Sequence, residues 1–160
     1  MKNIVLLICL SLTGVICFTA CEHKNDRKTD TNLMQEKIGQ QTVQTLSRAQ
    51  SVEIEDIEPS KARGYAFTGF GNRLTPSKAA ELKKLLLNDK NYDFNRMKSC
   101  LFIPKIAFHF KSNDEPLVTI LYSPWCKQIK IINRDEETVL EVDLITGTLE
   151  KFLNTVGDKA

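Results

Sequence analysis

Between Ile106 and Leu144 the chain switches between apolar and polar residues through four successive segments separated by short polar breaks. No other feature restricts its fold so tightly. Ile106, Phe108 and Phe110 alternate with Ala107, His109 and Lys111. The next segment, "LVTILY", is apolar on both faces, as a central strand is. Ile129 and Ile131 mark the inward side of a third segment, and Leu140, Val142 and Leu144 that of a fourth. The breaks "KSNDEP" and "NRDEE" are too short to carry a crossover helix, so the four strands are predicted to form an antiparallel meander.

Upstream, "SVEIEDIEP" has period two, with Val52 and Ile54 on one face and Glu53 and Glu55 on a solvated one. A second strand is predicted in "GYAFTGFG", with Tyr65 and Phe67 on one side and Phe70 on the other. The clearest helix follows: Thr75 is a good N-cap, Pro76 suits the first helical position, and Ala79, Leu82, Leu85 and Leu86 recur at helical spacing until Asn88-Asp89. A closing helix carries Leu149, Phe152, Leu153 and Val156 on one face, with Thr146 or Thr148 as cap and Gly157 as its end. Grouped strands with separate helices imply an α+β fold: one small domain over 51–157, an antiparallel meander sheet with helices packed on one face. Residues 33–49 carry a diluted apolar stripe, consistent with either a helix or part of a tether spanning 21–50.

The first twenty residues follow the order of a secretory signal peptide: Lys2, an apolar run from Ile4 to Phe18, then Thr19 and Ala20. Phe18-Thr19-Ala20-Cys21 resembles a bacterial lipobox, with Phe18 where an aliphatic residue is usual. The resemblance implies diacylation of Cys21 and removal of residues 1–20; an ordinary signal peptide with an incidental Cys, or an uncleaved anchor, is the alternative. Two acyl chains anchor a protein stably where one is marginal. The expected location is the bacterial cell envelope, with the domain lipid-anchored and facing the periplasm or the cell surface. With 22 basic and 20 acidic residues in the chain, there is no field of the size that nucleic-acid binding needs.

Five cysteines are present, but Cys9 and Cys17 leave with the signal and Cys21 takes the lipid. Cys100 and Cys126 remain, and in an oxidising compartment two such thiols pair. The meander brings both to one rim of the sheet, provided that their loops curl towards each other. Closing a loop of about 27 residues contributes roughly 3–4 kcal/mol in the chain-entropy model. "PWC" also invites a thiol-exchange reading, but a redox dithiol needs a second Cys one helical turn on, whereas Lys127-Gln128-Ile129 enters a strand. Trp125 is expected to pack over the bridge, with a partner contact as its alternative.

Other chemistry is thin. His23 lies in the tether, and His109 is expected to be an ordinary exposed or half-buried strand residue. The two histidines and two cysteines lack ligand spacing, so no metal and no cofactor is expected. There is no G-x-S-x-G, H-E-x-x-H or phosphate loop; Gly69-Phe70-Gly71 reads as a strand end or turn. Glu53, Glu55, Asp56 and Glu58 do not pair into an acid and base.

Taken together, the "VEI" strand, the helix ending "LLL" before Asn88-Asp89 and Tyr92, Cys100 with Pro104, "AFHF" and "VTILYSPWC" resemble a family of small bacterial exported proteins of unassigned activity. The resemblance implies one domain with linked cysteines, and no catalytic residue. The expected function is that of a membrane-anchored envelope lipoprotein with a non-enzymatic binding domain, its partners being the membrane through Cys21 and an envelope protein or polymer. An inhibitor or immunity protein against a wall hydrolase or toxin is a second reading, and an enzyme with an unrecognised site a third.

Overall fold

Six strands form one antiparallel sheet in a computed structural model that describes residues 33–60, 65–95, 99–133, 136–141 and 147–157. In chain order the strands are β1 (Ser51–Glu58), β2 (Ala66–Arg73), β3 (Ile106–Ser112), β4 (Glu115–Ser123), β5 (Gln128–Asn133) and β6 (Glu136–Glu141). The meander β3-β4-β5-β6 is as the sequence implies. The earlier hairpin joins it through β1, giving the order β2-β1-β3-β4-β5-β6. The β3–β4 turn is held by Asn113 and Asp114, both at positive φ (50° and 64°), the two-residue conformation whose twist matches the flanking strands. Asn and Asp tolerate this left-handed region better than other non-glycine residues.

One face of the sheet carries Val52, Phe108, Phe110, Val118, Ile120, Tyr122, Ile129, Ile131 and Leu140, which the helices cover. Helix α3 (Pro76–Leu86) starts as its sequence indicates, with Thr75 Oγ1 accepting from the Lys78 N–H and Pro76 in the first turn. It buries Ala79, Leu82 and Leu86. A short 3₁₀ turn, Asp89–Asn91, follows, and the Tyr92 hydroxyl donates to the Leu86 carbonyl at 2.7 Å. The last helix, α4 (Thr148–Gly157), buries Leu149 and Phe152. Val142, Leu144 and Thr146 lie outside the described residues, as do the predicted signal, Cys21 and His23.

The domain begins earlier than the boundary at residue 51. Two helices, α1 (Leu33–Ile38) and α2 (Gln40–Arg48), meet at Gly39, whose φ of 79° suits glycine, and Met34, Ile38, Leu46 and Ala49 enter the main core. Each such side chain contributes about 1.5–3 kcal/mol through burial. Long-range contacts fix both helices. Asp89 accepts from the N–H groups of Leu33 and Met34 (2.9 and 3.0 Å), at the α1 end where a negative charge is favoured. The Lys83 ammonium donates to the carbonyls of Ser47 and Ala49 at the C-terminal end of α2. The apolar stripe looked diluted because a core position is filled by Thr42, whose buried hydroxyl accepts from Asn133 Nδ2 at 2.8 Å.

Candidate functional site

The sheet face opposite the helices is not simply solvated. Alternation places Glu53, Glu55, Ile57, Ala107, His109, Thr119 and Leu121 there, which agrees with the sequence, but Glu55 and His109 are only 8% and 9% exposed. His109 Nε2 lies 3.0 Å from Glu55 Oε2, and its Nδ1 lies 3.1 Å from Thr119 Oγ1. The other Glu55 oxygen accepts from the Gly69 N–H and, at 3.2 Å, from the Thr68 hydroxyl. The expectations of a solvated Glu55 and an ordinary exposed or half-buried His109 are therefore corrected. The cover comes from the edge strand and the residue before it: Phe67 meets the imidazole edge to face at 5.2 Å, and Tyr65, just ahead of β2, meets Phe67 at 6.0 Å.

That edge strand is bulged. Glu55 pairs with Gly71 and Ile57 with Phe67, so β1 advances two residues while β2 advances four. Gly69 takes φ 79° at the bulge, a conformation that a side chain would strain. Glu55 satisfies the displaced Gly69 N–H. The outcome is that Phe70 is turned out into solvent, 86% exposed. Bulges characteristically re-aim a side chain next to a functional surface.

Phe70 stands at a groove on the helix side of the sheet, between the β1–β2 edge and the ends of α3 and α4. The groove has a volume of about 620 Å³, within the range of ligand sites. Its apolar lining includes Ile54, Leu74, Ile106, Leu153 and Val156, and its polar lining includes Asp56, Asn72, Arg73, Lys78 and Thr155. Lys78 is held by Glu81 and by the Thr155 hydroxyl, each at 2.8 Å. Arg73 reaches Glu53 and Asp114, and Asp114 is the main cause of its raised pKa. The Lys111 ammonium bonds Glu53 from the other side and holds that carboxyl below the usual range. Alternation set Phe70 on the side opposite Phe67 but did not reveal this site, because Gly69-Phe70-Gly71 reads as a strand end or turn rather than as a bulge that leaves Phe70 in solvent.

Glu55, His109 and Thr119 have the side-chain types of a hydrolase triad, but their setting serves structure. Thr119 lies within β4, paired with His109 of β3 on one side and Ile132 of β5 on the other. Nearby N–H groups are thus committed to the ladders, whereas acyl transfer needs donors aimed at a developing oxyanion. Among the described residues no group of three His, Cys, Asp or Glu side chains could hold a metal ion. Burial, with Glu150 beside it, raises the Tyr122 pKa; burial, with Asp89 beside it, raises that of Tyr92. Both hydroxyls therefore stay protonated at neutral pH.

A second surface lies at one rim of the sheet. Cys100 and Cys126 form a disulfide with Cα atoms 5.9 Å apart, as the shared rim allows. The preceding loop extends the sheet, since the Lys105 N–H donates to Tyr122 and its carbonyl accepts from Ile57, both at 2.9 Å. Phe102 packs against the small cluster of Ile57, Ala107 and Leu121. Its neighbours turn outward: Leu101 is 79% exposed and Ile103 is also exposed. Trp125 does not cover the bridge. It is 88% exposed, so the packing expectation is corrected and the contact alternative retains its physical basis.

Among the described residues no helix is long and apolar enough to cross a membrane. No protein-family model, curated protein or solved structure matches the chain.

Proposed function

We propose that this is a lipid-anchored, non-enzymatic binding protein of the bacterial cell envelope, and that its ligand is an extended polypeptide segment of an envelope partner. The observation that carries the reading is Phe70, exposed at the bulge of an edge strand beside an apolar-floored groove. One wall of the groove is the β1–β2 edge, and among the described residues no strand pairs with the outer side of β2, whose backbone groups an extended chain can satisfy. From Ala66 to Asn72 that strand has no charged residue and no proline, two of the devices that keep another chain from an edge; the bulge at Gly69 is the one such device it carries, and it leaves Phe70 pointing outward. An apolar side chain of the ligand would fill the floor against Phe70, with Asp56 and Lys78 contacting its polar flanks. Cys21 supplies the anchor in this reading, and no covalent step is assigned to any residue.

The test is selection of a random peptide library on the immobilised chain. Enriched peptides should be apolar and extended, and should lose at least about tenfold in affinity with Phe70→Asp, the scale of one buried contact of about 1.4 kcal/mol. They should bind Lys84→Ala, an exposed change away from the groove, as they bind the parent. Failure to enrich any such peptide, or equal binding to Phe70→Asp, would remove the groove from the account.

A further inference from the structure

From the disulfide rim we infer a second contact: Leu101, Ile103 and Trp125 dip into the headgroup region of the bilayer to which the chain is tethered. The inference rests on the lipid-anchored part of the proposed function and is independent of what the groove binds. Two loops distant in sequence supply the three side chains. Residues 99–105 provide Leu101 and Ile103, and residues 123–128 provide Trp125. The Cys100–Cys126 bond joins the loops immediately beside Leu101 and Trp125, so the apolar tips form one feature rather than two.

Its composition matches a lipid interface. Trp has a large apolar body and one N–H donor, and it concentrates at the headgroup level of membranes. The same loops carry Lys105 and Lys127 and no acidic residue. Lys105 is exposed; Lys127 keeps 38% of its side chain exposed while lying 3.7 Å from Glu150. Basic groups around an exposed apolar tip favour anionic lipid, each near the surface adding attraction that salt weakens. The tips need no rearrangement to insert. Phe102, between Leu101 and Ile103, is already packed inward with Lys130 over its ring at 5.4 Å, while the Lys105 backbone is bonded to two strands. The eleven residues between Cys21 and Leu33 span at most about 40 Å when extended, enough to let a small domain present any of its sides to the membrane.

Trp125 is the only Trp in the chain, so its fluorescence reports this surface alone. The full chain, exported and processed in a bacterial host, is incorporated into vesicles of phosphatidylethanolamine and phosphatidylglycerol with and without doxyl-labelled lipid. The expected result is flotation with the vesicles, a shift of emission to shorter wavelength, and loss of emission to the doxyl label. Leu101→Asp, at an exposed position that leaves the core intact, should float equally while its Trp125 emission stays water-like and unquenched. A parent chain that floats with Trp125 unquenched overturns the inference and leaves the anchor standing. The same holds if Trp125 shifts only after envelope proteins are added, which would assign the rim to a protein. A chain that does not float at all overturns both.

Discussion

Glu55 is the residue on which the exposed edge depends. One of its oxygens holds His109, and the other takes the N–H and hydroxyl that the bulge displaces. Replacing it with Ala leaves the Gly69 N–H and the imidazole without this partner in a site of low exposure. Glu55→Ala should therefore cost about 2–3 kcal/mol in urea unfolding, with faster hydrogen exchange at Gly69. Glu55→Gln keeps an acceptor and should cost clearly less; equal costs for the two would show that the bulge does not rely on that acceptor. Glu53 gives a pH signature. The Lys111 ammonium lowers its pKa from the usual 4.5, so the folded state gains stability above that value and loses it as the pH falls through the depressed one. The stability difference between the parent and Glu53→Gln should be constant near neutrality, about 1 kcal/mol or less, and vanish in acid. A difference that grows on acidification would contradict the assignment. Period-two alternation correctly gave the faces of both residues. It could not distinguish their surroundings, since the cover over His109 is Phe67, brought there by a strand distant in sequence.

At the scale of elements, strong local signals translated directly into structure. Thr75-Pro76 opens α3, Asn113-Asp114 closes the β3–β4 hairpin, and the apolar runs give the meander. The N-terminal helices were hard to read for a physical reason: their anchors, Asp89 and Lys83, are far away in sequence, and Thr42 is buried only because Asn133 satisfies it. The disulfide could be inferred from the expected compartment and the topology together, whereas the orientation of Trp125 could not. Replacing both Cys100 and Cys126 with Ser should lower stability by about 3–4 kcal/mol but leave the chain folded, because Lys105 still bonds Tyr122 and Ile57. An unchanged urea midpoint would mean that the bridge does not restrain the unfolded chain, and outright unfolding would mean that the rim depends on it alone.

At the scale of the whole molecule, the helices bury one sheet face, while the two most exposed aromatic side chains among the described residues stand where the sheet ends: Phe70 at the β2 edge and Trp125 at the disulfide rim. The arrangement suits a domain that meets two surroundings, a polypeptide at its edge and the membrane at its rim. Site-specific photocrosslinking in cells is the most direct test of the central claim. With a photoreactive residue at position 70 of the full chain, the account predicts one discrete covalent adduct with an envelope protein, absent when the probe replaces Lys84. No adduct at position 70 under conditions in which the chain is folded and anchored, or the same adduct at position 84, would contradict it.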